Sequence, residues 1–451
     1  MYKMLFFFLI AGSALSGQDV LDAYIQKALN SNLALQQSEF SYQKSVAALR
    51  EARGMFLPSV DIEARYTRAD GGRTIDFPIG DLLNPIYQTL NLLTGVPAFP
   101  TNLQNESIKF FREKEHETKV RIVQPVFQPQ IYYNVKIQKQ ITQIQSASRN
   151  AYARQLVADV KTSYYNVLTA AKVVELTEKT NDVLNENLRV STSLFENDKV
   201  TQDVVYRAQA ELSRLNQQQA EAHKLFDLSQ AYFNFLLNRP LDSPVEIAKA
   251  PLPQFRNGLN RAEKEANALA HREELVQLKA AIDAQRNGVK LNRSGFLPGL
   301  IAVFDYGYQG EEYNFNKEYD YWMASAVLQW NLFKGGQDKA CIQQAKLEQA
   351  KLETQLLELK KKIQLDVWRA VENVNVVDQS IKFAADELSA AQKNFDIVNK
   401  KFEQGMVSHI EFLDAQNTLM QAELNAIIKK FDFFIKQAEL EKAAATFALP
   451  N

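Results

Sequence analysis

The chain has 451 residues, with 52 basic and 53 acidic residues spread along it for a formal net charge of −1. That length is roughly two to three times a usual single domain, so duplication is the first thing to test. No basic run marks a nucleic-acid face or a polybasic membrane arm, and the single cysteine, Cys341, excludes an intrachain disulfide or a paired-cysteine metal site.

In chain order, Lys3 precedes the apolar run 4–11, and Ala14 and Ser16 supply small residues at a cleavage-site spacing. Residues 1–17 therefore read as a signal peptide, with the mature chain starting near Gln18 and export implied. Beyond it no run of about 18 apolar residues occurs, so any membrane crossing must be made by β-strands.

The remainder reads as a tandem repeat. Ala28 precedes Pro58 by the same interval as Ala268 precedes Pro298, and each Pro closes an Arg-x-x-Phe-Leu-Pro motif (Arg53 to Pro58, Arg293 to Pro298). Two further correspondences follow in order, around Phe127 and Phe333 and at the stretches beginning Leu194 and Lys401. The repeats take residues 18–240 and 259–451, joined by a linker at 241–258.

Within each copy the hydrophobic period switches. Helices are expected over 19–53, 130–196, 202–238, 260–293, 337–402 and 408–447. Three-and-four spacing runs through Val205, Ala208, Leu212, Leu215, Ala222, Phe226, Phe233 and Leu236. In the second copy it runs through Ile410, Leu413, Met420, Leu424, Ile427, Phe431, Phe434 and Ala438. Such seams pack helices side by side as coiled coils. Between the helices, period two marks strands near 58–68, 119–127, 300–308 and 320–333. In the last of these the apolar face carries Trp322 and Trp330, which suits the aromatic girdle of a membrane strand; half-burial in a soluble sandwich would leave both indoles without a purpose.

Four strands cannot close a membrane barrel, and open edges are not tolerated in lipid. Several copies must then share one barrel: a dimer would supply eight strands with little lumen, a trimer twelve with a pore. The first hairpin carries an insert, about 69–117, rich in Gly and Pro, expected as an extracellular cap.

The paired Arg-x-x-Phe-Leu-Pro motifs, the strand end at Leu332 and the stretch from Phe402 to Gln416 resemble the TolC-type outer-membrane efflux proteins, over essentially the whole mature chain. The resemblance implies a mainly α fold with a transmembrane β-barrel: a homotrimer sharing twelve strands in outer-membrane lipid, continued by a long periplasmic α-barrel. It implies partners too, a periplasmic adaptor and an inner-membrane transporter, with a passive role in exporting small molecules or, alternatively, secreted protein. A soluble coiled-coil scaffold of the envelope is the remote alternative.

No catalytic, cofactor or metal motif is present; His116, His223, His271 and His409 are scattered. Most helix carboxylates read as solvated faces. Glu411 and Asp414 differ by position, three apart just after a helix-to-helix turn, where a trimer would make two acidic rings able to bind cations. In the resembled family acidic residues at these positions line the periplasmic constriction, with Phe402 at the start of the same stretch. Asp203 is the first copy's nearest match, with one position of ambiguity. The family's locking Arg is replaced by Val407. The two turns, with Asp198, Lys199, Val200 and Thr201 in one and Gly405, Met406, Val407 and Ser408 in the other, match the family's adaptor contacts.

Overall fold

A computed structural model describes residues 17–247 and 259–447. The expected signal peptide and most of the expected linker lie outside the described residues. The chain forms two compact units.

The first unit, 1–47 with 139–285 and 347–451, is helical among its described residues. Its elements include α1 (Gly17–Ser31) and α2 (Leu33–Gly54). The long α4 (Pro129–Glu196) precedes α5 (Gln202–Leu236), and the long α8 (Gln337–Glu403) precedes α9 (His409–Ala443). Between them lie α6 (Arg261–His271) and α7 (Glu273–Arg293). At 68 and 67 residues, α4 and α8 are each about 100 Å long at 1.5 Å per residue.

The helices expected over 19–53 and 260–293 are each broken by one residue. Asn32 leaves the helix so that its Oδ1 accepts from the N–H groups of Ala34 and Leu35, capping α2, while its Nδ2 donates to the Leu236 carbonyl. That carboxamide occupies donors a helix start leaves unpaired. Arg272 is the repeat equivalent. It is extended, at φ −68° and ψ 126°, and its guanidinium holds Glu274 at 2.6 Å.

The core of this unit gathers Leu21, Ile25, Tyr164, Phe233, Ile363, Val367 and Phe434, all at most 8% exposed. Arg154 on α4 makes a two-pronged pair with Glu273 (2.6 and 2.9 Å) and donates to the Phe447 carbonyl. Bidentate pairing fixes direction as well as distance.

All four long-pair helix ends close alike. At Asp198 (φ 53°) and Gly405 (φ 71°), as at Asn238 (φ 51°) and Ala445 (φ 52°), one left-handed residue stops the helix. Lys199 N–H then reaches Leu194 O at 2.9 Å, and Met406 N–H reaches Lys401 O at 2.8 Å, the 6→1 bond of a Schellman cap. Asp198 pays the steric cost that Gly405 avoids. Asp198→Gly is therefore expected to stabilise this cap by about 0.5–1 kcal/mol, measured as slower amide exchange at Lys199 and Val200.

The second unit, 48–138 with 286–346, holds the strands. These are β1 (Ser59–Arg68), β4 (Lys114–Phe127), β5 (Gly299–Gly310) and β6 (Asp320–Gln329), antiparallel in the order β1-β4-β5-β6. Two boundaries differ from expectation. The second strand starts at Lys114 rather than 119, shortening the insert. The fourth ends at Gln329, leaving Trp330, Leu332 and Phe333 beyond it. The insert is itself ordered: β2 (Thr74–Phe77) pairs antiparallel with β3 (Glu106–Lys109), with α3 (Ile79–Thr94) between them.

Candidate channel surfaces: the strand sheet and the helix tips

The sheet separates two chemistries by the alternation of its strands. Cross-strand partners place Ile62, Val120, Tyr306 and Trp322 in one row, and Val60, Ile122, Phe304 and Ala324 in the next. This face is bare: Ile62 is 78% and Trp322 71% exposed. The expected girdle pair is unequal. Trp322 lies within β6, whereas Trp330 follows its end and donates from Nε1 to the Phe296 carbonyl at 3.0 Å.

The opposite face is ionic. Arg121 donates from Nε and Nη2 to both Asp305 oxygens at 2.8 Å, and Asp305 is fully buried. Lys119 lies 3.0 Å from Glu117 and 3.6 Å from Glu63, while the Tyr321 hydroxyl donates to Glu117 at 2.6 Å. Gly307 stands opposite Lys119, and a Cβ there would come within 2.4 Å of the Thr118 carbonyl. A soluble protein buries its apolar face and exposes its charges. Here the arrangement is inverted, as a barrel with a lipid-facing outside and a polar inside requires.

In the helical unit, the two turns linking α4 to α5 and α8 to α9 line a cavity of 1140 Å³. Of the turn residues singled out above, Lys199, Val200, Gly405, Val407 and Ser408 line it, whereas Asp198, Thr201 and Met406 do not. Met406 is 69% exposed.

Glu411 and Asp414 are exposed on one side of the first turns of α9. Glu411 has a local partner the sequence reading missed. Ser408 caps α9, accepting from Glu411 N–H at 3.3 Å and donating to Glu411 Oε1 at 3.0 Å. This is a capping pair announced by Ser-x-x-Glu.

Asp203 stands otherwise. The offset relating Asp198 to Gly405 and the start of α5 to that of α9 pairs Asp203 with Ile410. It sets Val204 opposite Glu411 and Arg207 opposite Asp414. Asp203 accepts from the Thr201 hydroxyl and lies 3.5 Å from Arg207. The Thr201 hydrogen bond, with Arg207 adding to it, holds its carboxyl below the usual range.

Phe402 is half-buried, stacked on Phe412 with centroids 4.8 Å apart. Ile410, expected on the seam, is 56% exposed; Phe412, Ala415 and Leu419 are the buried positions. His409 belongs to this buried side, at 8% exposure. Its Nε2 meets Asn187 Oδ1 at 2.9 Å, its ring faces Phe402 and Phe412, and its Nδ1 has no partner. Burial pushes the imidazole below its ordinary range, Arg207 adds to this, and Asp203 opposes it.

Among the described residues no helix is long and apolar enough to cross a membrane, and no cluster could hold a metal. Long paired helices with an inverted, open-edged sheet define an outer-membrane channel protein. A family model described as "Outer membrane efflux protein" matches residues 266–446. Outer membrane protein TolC of Escherichia coli (strain K12) is 22% identical over 96% of this chain and 84% of its own length. Alkaline protease secretion protein AprF of Pseudomonas aeruginosa is 27% identical over 65% of each. The crystal structure of the Campylobacter jejuni CmeC outer membrane channel has the same fold, with a TM-score of 0.79 at 13% identity over 96% of this chain and 88% of that one. Together these likenesses support a TolC-type outer-membrane efflux protein located in the outer membrane.

Proposed function

We propose that three copies form one conduit from periplasm to exterior, serving as the outer-membrane component of a tripartite efflux system for small molecules. The observation that carries this is the four-stranded sheet, whose bare apolar face and two open edges, β1 and β6, call for further copies. Twelve strands then enclose the charged faces as a polar lumen. The helical unit extends into the periplasm, and the turns around the 1140 Å³ cavity receive the adaptor that links the channel to an inner-membrane transporter. Native mass in detergent tests the assembly: the expected value is three times the mass of the mature subunit, and a monomer or dimer in conducting preparations defeats the reading.

The gate is assigned to Glu411 and Asp414, repeated three times around the mouth, with Phe402 bracing the turn through Phe412. Asp203 and Arg207 neutralise each other locally, so the first copy adds little net charge to those rings. With both carboxylates neutralised (Glu411→Gln and Asp414→Asn), block of single-channel current by divalent cations is expected to weaken about tenfold or more, each tenfold step corresponding to about 1.4 kcal/mol. Unchanged block would remove these residues from the gate.

A second reading, the outlet of a protein-secretion system, is favoured by one observation: the similarity to AprF, a protein named for alkaline protease secretion. Loss of a secreted protease in a deletion strain, with small-molecule tolerance intact, would select it.

A further inference from the structure

The insert between β1 and β4 is a folded piece with one face left unused. Residues 96–105 run back along α3 and are tied to it on one side. Asn84 exchanges two hydrogen bonds with the Leu103 backbone, both 2.9 Å, and Asn91 exchanges two with Phe99, at 2.8 and 2.9 Å. Tyr87 stacks on Phe99 at 5.5 Å. Gly80 completes this side; a Cβ there would stand 2.1 Å from the Leu103 carbonyl. Gly80, Asn84, Tyr87 and Asn91 are spaced four, three and four, so the strap covers a single stripe of the helix.

A second stripe is apolar and lacks a cover. Ile79, Leu83, Ile86, Leu90 and Leu93 alternate steps of four and three over two heptads, which is the spacing of a coiled-coil seam. Ile86 is 53% and Leu93 78% exposed, while Leu83 and Leu90 are half-buried. Outside the cell such a stripe in water is costly: each aliphatic side chain moved out of water gains about 1.5–3 kcal/mol.

We propose that the α3 seams of the assembled copies pack against one another over the external mouth of the barrel, making an apolar constriction distinct from the periplasmic gate. The inference rests on the shared-barrel reading given above. Three observations favour a second copy of this chain over a lipid surface as the occupant. The heptad step itself is the code for helix against helix. The helix contains no Lys or Arg, with Asp81 its sole charge, whereas helices that lie on membranes carry basic residues on the polar face. Finally, the insert leaves the sheet from β1, an edge strand, so it rises at the junction between neighbouring copies. Solutes leaving the lumen then pass a narrow ring of Leu and Ile side chains, which resists hydrated ions by dewetting and opens when the three helices separate.

The test uses the full chain with Cys341, its exposed thiol, replaced by Ser. Leu93→Cys, on the seam, is compared with Gln88→Cys, on the opposite side of α3, under mild oxidation. The expected result is a disulfide-linked dimer from Leu93→Cys and none from Gln88→Cys. The seam variant Ile86→Asn with Leu93→Asn is expected to raise single-channel conductance at least twofold. Native mass is read on every sample. With three copies present, absence of the Leu93→Cys disulfide, or equal cross-linking at both positions, overturns the constriction and leaves the shared barrel standing. A nitroxide on Leu93→Cys relaxed more by dissolved oxygen than by a water-soluble nickel complex would put the seam in lipid, with the same consequence. A monomer instead overturns the assembly and the constriction with it.

Discussion

Arg121→Ala is expected to destabilise the assembled channel by about 1–3 kcal/mol, and adding Asp305→Ala to the same chain is expected to recover part of that loss. The reason lies in what each change leaves behind. Asp305 is fully buried and takes two 2.8 Å hydrogen bonds from Arg121. Removing the guanidinium leaves the carboxylate without its partner on the lumen face, near Glu63 and Glu117, whereas removing both groups leaves no charge to compensate. Lys119 offers little relief. Its Nζ is 4.0 Å from Asp305 and already 3.0 Å from Glu117 and 3.6 Å from Glu63. The measurement is thermal unfolding of the detergent-extracted protein for both singles and the double. Equal destabilisation in Arg121→Ala and the double variant would show that the pair acts through something other than charge compensation. Because Arg121 and Asp305 sit on adjacent central strands, β4 and β5, the effect should register as loss of the barrel rather than of the helices.

Much of this fold was legible because two periodicities carried it. Steps of three and four gave the long helices, and steps of two gave the strands. The duplication showed because the Arg-x-x-Phe-Leu-Pro motif recurs at one offset from its helix. The breaks at Asn32 and Arg272 were missed since neither is Gly or Pro and each interrupts one residue, so the apolar pattern runs through them. The edge of β4 was set too late because residues 114–118 are mostly charged. Their partners across the sheet, such as Arg65 for Glu117, are what make charge compatible with a strand there.

Pro and Gly punctuate the insert, which marks its turns and an extracellular cap but not the helix inside it. Yet Gly80 and the two Asn residues are what fasten the strap to α3, and the heptad from Ile79 to Leu93 was available to be counted. At the helix tip the error had one origin. Scoring hydrophobicity alone places the exposed Ile410 on the seam, while the buried side includes the polar residues His409 and Gln416 with Phe412, Ala415 and Leu419; Leu413 does pack there, half-buried against Leu184, Leu215 and Met420. A stripe that mixes polar and apolar members is invisible to a hydrophobic count, although its spacing is as regular.

That mixed stripe is expected to make the helix tip acid-sensitive. His409 is buried against Phe402 and Phe412, donates from Nε2 to Asn187 Oδ1, and feels Arg207 and Asp203 from α5; Glu403 of α8 lines the same cavity. Its folded pKa is depressed by burial, with Arg207 contributing and Asp203 opposing. Between that depressed value and the ordinary value of about 6.5, the unfolded tip binds the proton and the folded tip does not. The neutral imidazole's contribution is therefore fully present above about pH 6.5 and is lost as pH falls toward the folded value. Acidification from pH 7.5 to 5.5 is expected to lower amide protection, corrected for intrinsic chemistry, in the first turns of α9 and in the turn after α8, with protection in the barrel strands unchanged. His409→Phe keeps the aromatic packing and removes the titration, so its exchange rates should be flat over the same range once corrected for intrinsic chemistry. His409→Ala leaves a cavity beside Phe412 and strands the Asn187 carboxamide, at a cost of about 2–4 kcal/mol at neutral pH. An acid response that survives in His409→Phe would remove His409 as its source. The same variant then separates proton binding inside the packed tip from every other response of the mouth to acid.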